Sequence, residues 1–116
     1  MRLQSVAETA AFISFAKDHL SDAERQRLID EVARDPQRGE VIVGTGGMRK
    51  FRFATRGRGK SGSVRIVSFY LDPNWPVYLI TGFAKNERSN LDAEDKRLLK
   101  ALTGRIKTTA RSKRRI

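Results

Sequence analysis

Lys50 and Arg52 sit two residues apart, Arg65 follows on the next apolar run, and no carboxylate lies between Arg49 and Arg65. That span holds seven cations: Arg49, Lys50, Arg52, Arg56, Arg58, Lys60 and Arg65. Any one of them is ordinarily there to blunt a strand edge and keep an exposed face soluble. Seven without a compensating acid, beside several glycines that let backbone approach a ligand, point instead to a surface that holds phosphate. Lys85, at the far end of a later apolar run, is placed to project beside the same cluster.

Two runs that alternate apolar and polar residues must position these cations. Met48, Phe51 and Phe53 interleave with Arg49, Lys50 and Arg52, and Val64, Ile66 and Phe69 flank Arg65 and Ser68. A Gly- and Ser-rich basic loop joins them, which predicts an antiparallel hairpin. Side chains alternate between faces along a strand, so the apolar residues turn inward and the cations form a row outside.

The rest of the chain reads as support for that hairpin. Leu3 to Val6 predicts a short strand. Thr9 caps a helix to about Leu20, with Phe12, Ile13, Ala16 and Leu20 at helical spacing. Ser21 and Glu24 form a capping box for a second helix to about Arg34, ended by Pro36 and Gly39. Val41 to Val43 starts a strand before the Gly44–Gly47 turn. Asp72 to Pro76 is turn chemistry, with Trp75 as turn packing, and Val77 to Phe83 predicts a third long strand. Asp92 caps a last helix with Leu98, Leu99, Leu102 and Ile106 on one face. Arg111 to Arg115 is basic without an apolar period. The organisation is a single domain over 1–110 with a basic tail over 111–116. Its class is α+β: an N-terminal helical pair and a C-terminal helix packed on one face of a small antiparallel β-sheet.

Composition narrows the function. The 116 residues contain no cysteine and one histidine, His19, which argues against thiolate or histidine metal sites and a histidine-centred catalyst. No apolar run approaches the roughly 20 residues of a membrane span, and the N-terminus lacks a signal-peptide pattern, so a cytoplasmic protein is expected. Residues 1–40 carry six Lys or Arg against eight Asp or Glu, net −2, while residues 41–116 carry eighteen against five, net +13. The basic part calls for a polyanion, and nucleic acid comes before membrane because the cations cluster on a hairpin rather than on an amphipathic helix. Ala54 to Ser61 superficially resembles the phosphate loop of nucleotide hydrolases. A strand former follows it where that loop needs a helix N-terminus, so nucleotide hydrolysis is set aside.

Three segments in order, Gly44–Ala54 (GTGGMRKFRFA), Gly57–Val67 (GRGKSGSVRIV) and Tyr78–Leu91 (YLITGFAKNERSNL), resemble the HigB branch of the RelE/ParE toxin superfamily. The likeness extends to the helical pair ending at Asp35 and Pro36 and to the last helix after Leu91. It implies a small toxin of a bacterial type II toxin–antitoxin pair that cuts mRNA in the ribosomal A site. The ribose 2′-hydroxyl would attack the adjacent phosphate without metal or other cofactor, leaving a cyclic phosphate end. By this resemblance Lys50 and Arg52 orient and activate the 2′-oxygen, Arg65 holds the scissile phosphate, and Lys85 protonates the leaving 5′-oxygen. Arg49, Arg56, Arg58, Lys60 and Arg88 would hold mRNA and ribosomal RNA phosphates. RelE-like members carry a base-stacking tyrosine near the start of the last helix; Leu91 stands there in this chain, which leaves Phe83 or Tyr70 for stacking. The implied protein partner is a HigA-type antitoxin with a helix-turn-helix domain. A ParE-like gyrase poison, which shares the fold and does not cut RNA, is the alternative, followed by an RNA-binding module without catalysis.

Overall fold

The computed structural model describes residues 3–55, 62–84 and 90–114. In chain order these form β1 (Val6–Glu8), α1 (Ala10–His19), α2 (Asp22–Arg34), β2 (Glu40–Val41), β3 (Arg49–Ala54), β4 (Ser63–Phe69), β5 (Val77–Ala84) and α3 (Ala93–Arg114). The five strands make one sheet in the order β1-β5-β4-β3-β2. β2 to β5 pair antiparallel, but β1 runs parallel to β5 through Val6, Ala7 and Glu8 against Val77, Tyr78 and Leu79. The sheet is therefore mixed rather than antiparallel throughout. A strand of three residues carries no pattern that sets its direction; the crossover through α1 and α2 does.

Each helix begins where its side chains satisfy free N–H groups. The Thr9 hydroxyl accepts from the Phe12 N–H at 3.1 Å and donates to the Ile80 carbonyl at 2.6 Å, which starts α1 and pins it to β5. Ser21 and Glu24 make both bonds of the expected capping box at α2. Asp92 and Asp95 do the same for α3: the Asp92 N–H donates to Asp95 and the Asp95 N–H to Asp92. α3 continues to Arg114, so residues 111–114 extend the helix where a tail was expected. Ala110, 1% exposed, anchors that end; Ala, Arg and Lys are strong helix formers, and the positive charges of Arg and Lys suit a helix C-terminus.

The sheet separates two apolar layers. Phe12, Phe15, Leu28 and Val32 of the helical pair pack on Phe51, Phe53, Val64, Ile66 and Leu79. Leu99 and Ile106 of α3 pack with Met48, Val67, Phe69, Ile80 and Phe83. Helices thus cover both faces of the sheet, not one as the sequence predicted, because the α3 stripe meets the opposite side of the same alternating strands. At Gly82 a Cβ would lie 2.5 Å from the Phe15 ring, so only glycine lets α1 approach β5 this closely.

Two arginines brace β3 from the α2 side. The Arg27 guanidinium lies 4.4 Å from the centre of the Phe53 ring, and Arg38 lies 4.6 Å from that of Phe51. Arg27 also donates to the Ala54 carbonyl and Arg38 to the Arg52 carbonyl, groups on the part of β3 that β2 leaves uncovered. Glu31 forms ion pairs with both. Nearer the start of α2, Arg25 ties the helix to β1 through Glu8 at 2.7 Å, and this hydrogen bond holds the guanidinium above its ordinary pKa.

Candidate functional site

Register decides which cations meet. Arg52 lies directly opposite Arg65, Lys50 opposite Val67, and Arg65 opposite Phe83 on β5. Directly paired residues of antiparallel strands share a face, and residues two apart on one strand share it too. Lys50, Arg52 and Arg65 therefore stand together on the α3 side of the sheet, beyond the point where α3 covers it. They line a cleft of about 430 Å³ with Gly39, Glu40 and Asn90.

Like charges directly opposite one another destabilise a sheet, so the Arg52–Arg65 pair is costly until an anion lies between them. Among the described residues neither forms an ion pair, and neither does Lys50. The Lys50 ammonium donates to the Asn90 side-chain carbonyl at 3.3 Å, and the same oxygen accepts from the Leu91 N–H at 2.9 Å. Asn90 thus links the cleft lysine to the segment entering α3. Gly39, at φ +97°, brings the β2 approach so close that a Cβ would lie 2.4 Å from the Lys50 carbonyl oxygen. The cleft can hold a phosphate among three cations, whose N–H groups are charge-assisted donors for its oxygens.

Several expected site residues lie elsewhere. Arg49 falls on the opposite face from Lys50 and donates to the Gly39 carbonyl at 3.0 Å, so it supports the β2–β3 junction and does not join the cation row. Phe83 shares the cleft face but is 8% exposed, its ring packed in the α3-side core with Leu91 and Leu99. It is not presented for base stacking. Tyr70 packs against the core on the helical-pair side. Arg56, Arg58, Lys60, Lys85 and Arg88 lie outside the described residues. Sequence reasoning missed Glu40 and Asn90. Both come to the cleft through long-range pairing, and the one local clue was polar residues next to a strand and a helix start.

A small basic domain with a helical pair on one face of its sheet and a C-terminal helix on the other, gathering cations from neighbouring strands into one open cleft, is the class this fold and site define. Residues 4–115 match the family model described as the RelE toxin of the RelE/RelB toxin–antitoxin system, and the chain belongs to that family. Among solved structures it is similar to the E. coli toxin RelE in the free state, in a variant with two arginines replaced by alanine. The TM-score is 0.52 at 15% identity, over 75% of this chain and 88% of the other. That likeness is one of fold. Among the described residues no helix is long and apolar enough to cross a membrane.

Proposed function

We propose that this protein is a ribosome-dependent mRNA endonuclease, the HigB-type toxin of a type II toxin–antitoxin pair. The observation that carries the reading is the convergence of Lys50, Arg52 and Arg65 on one cleft, where none of the three forms an ion pair among the described residues. Arg65 and Arg52 clamp the scissile phosphate and balance the charge that grows on its oxygens during attack. Lys50, oriented by Asn90, stabilises the 2′-oxygen as it becomes the nucleophile. Lys85 donates the proton to the departing 5′-oxygen. The reaction is intramolecular, so holding the ribose and phosphate in line supplies much of the rate and no metal is required. Arg56, Arg58, Lys60 and Arg88 hold neighbouring phosphates of mRNA and ribosomal RNA. The basic surface also receives an acidic or amphipathic segment of a helix-turn-helix antitoxin, and the protein acts in the cytoplasm.

Primer extension on translating messages tests this. The wild-type protein should give new 5′ ends within codons, and a variant with Lys50, Arg52, Arg65 and Lys85 all changed to alanine should give none. Persistent cuts in that variant overturn the site. Intact messages accompanied by DNA damage overturn the nuclease and favour a gyrase poison.

A further inference from the structure

The three cations of the cleft explain how phosphate is held and how negative charge is balanced, but not where the 2′-hydroxyl proton goes. A guanidinium has no lone pair to accept it and is never deprotonated in proteins, and an ammonium must first lose a proton of its own. Among the described residues one carboxylate lines the cleft, Glu40. It is directly opposite Lys50 in the β2–β3 ladder, so both side chains leave the sheet on the same face, with Cα atoms about 4.5–5.5 Å apart. Glu40 is exposed to the cleft and, among the described residues, makes no ion pair. Other acids nearby are committed: Glu31 to Arg27 and Arg38 on the opposite face of β3, Asp92 and Asp95 to the N-terminus of α3.

A carboxylate in a site that holds phosphate opposes binding through like charge. Its presence opposite Lys50 is understandable if it contributes to the chemistry. We infer that the Glu40 carboxylate is the general base of the cleft, taking the proton of the RNA 2′-hydroxyl. The inference rests on the nuclease reading above. As the proton passes to Glu40, the 2′-oxygen forms its bond to phosphorus and the bond to the 5′-oxygen breaks. That oxygen leaves with the proton assigned to Lys85, and the products are a 2′,3′-cyclic phosphate and a 5′-hydroxyl. The Lys50 ammonium, on the adjacent strand, stabilises the 2′-oxygen during the transfer. Gly39 serves the same arrangement: only a residue without a side chain lets β2 lie close enough to Lys50 to bring Glu40 over it.

Single-turnover cleavage of a message on preassembled ribosome complexes, with wild-type protein, Glu40→Gln and Glu40→Ala, tests the assignment. A positioned general base contributes about 10²–10⁴-fold, so Glu40→Gln should slow cutting by about a hundredfold or more. Binding to the same complexes should be unchanged or tighter, because a negative charge has left the cleft. Added formate, a small carboxylate, should restore rate to Glu40→Ala and not to Glu40→Gln, whose amide fills the space. A slower rate with tighter binding is a split that a purely structural residue does not produce. Wild-type cutting accompanied by an undiminished rate in Glu40→Gln overturns the assignment alone. So does a rate loss that follows lost binding and lowered melting temperature in both variants. Wild-type protein that leaves the message intact removes the nuclease reading and this inference together.

Discussion

The two faces of β3 use arginine in opposite ways. On the helical-pair side Arg27 and Arg38 sit over the rings of Phe53 and Phe51, share Glu31, and donate to strand carbonyls. Their charge is compensated by Glu31 and they pack against aromatic rings. On the other side Arg52 faces Arg65 across the ladder with no carboxylate bound to either among the described residues. The residue type is the same and the strand is the same; the partners differ. An arginine given an acid and a ring is part of the scaffold, whereas one held opposite another arginine costs stability until a ligand brings the negative charge.

The largest effect should come from emptying the cleft. Changing Lys50, Arg52 and Arg65 together to alanine should abolish cleavage in the primer-extension assay, since one lost donor to a developing oxyanion costs about 10²–10³-fold. The variant should melt no lower than wild type in calorimetry. A large fall in melting temperature would mean that these cations hold the fold, and the contrast between the faces would fail. Next in size, Phe53→Ala, on the braced face and 1% exposed, should cost about 3–5 kcal/mol in denaturant unfolding. It should also loosen Arg27, whose ring partner has gone.

Gly82→Ala should cost about 1–3 kcal/mol, because the added Cβ meets the Phe15 ring and a close-packed core answers overpacking with shifts. Denaturant midpoints with an unchanged slope would show a stability loss without a change of state. The smallest effects are the most discriminating. Arg27→Gln removes a cation over a ring and should lower stability by about 0.5–1 kcal/mol while leaving cleavage per folded molecule intact. Arg52→Gln should raise stability by about 0.2–1 kcal/mol, because it relieves a like-charge pair, and should remove most of the cleavage. One substitution type with opposite signs on the two faces is the sharpest form of the comparison. Equal signs would refute it.

Features that depend on near neighbours were legible before the structure. Thr9, the Ser21–Glu24 box and Asp92 were read as helix starts because a capping side chain bonds its own first turn. The hairpin and the shared face of Lys50 and Arg52 followed from a period of two. Arg49 and Phe83 stand apart from the open cleft for a related reason. Alternation sends Arg49 to the face opposite Lys50, and only the docking of α3 decides that Phe83 is covered. The extension of α3 to Arg114 was hidden because a run of cations without apolar spacing looks the same in a tail and at the end of a helix anchored through Ala110.

By itself, the sequence determined that the protein is basic in its second part, α+β in class, and built around a cation-bearing hairpin. These are properties of composition and of spacing over a few residues, so no distant partner is needed to decide them. Tertiary structure alone decided that β1 runs parallel to β5, that helices cover both faces, and that Glu40 and Asn90 join Lys50, Arg52 and Arg65 in one cleft. Asn90 is forty residues from Lys50 along the chain, and their meeting at 3.3 Å depends on strand register and on where α3 begins. Local pattern cannot encode such a meeting, because it follows from how whole elements bury their apolar faces against one another.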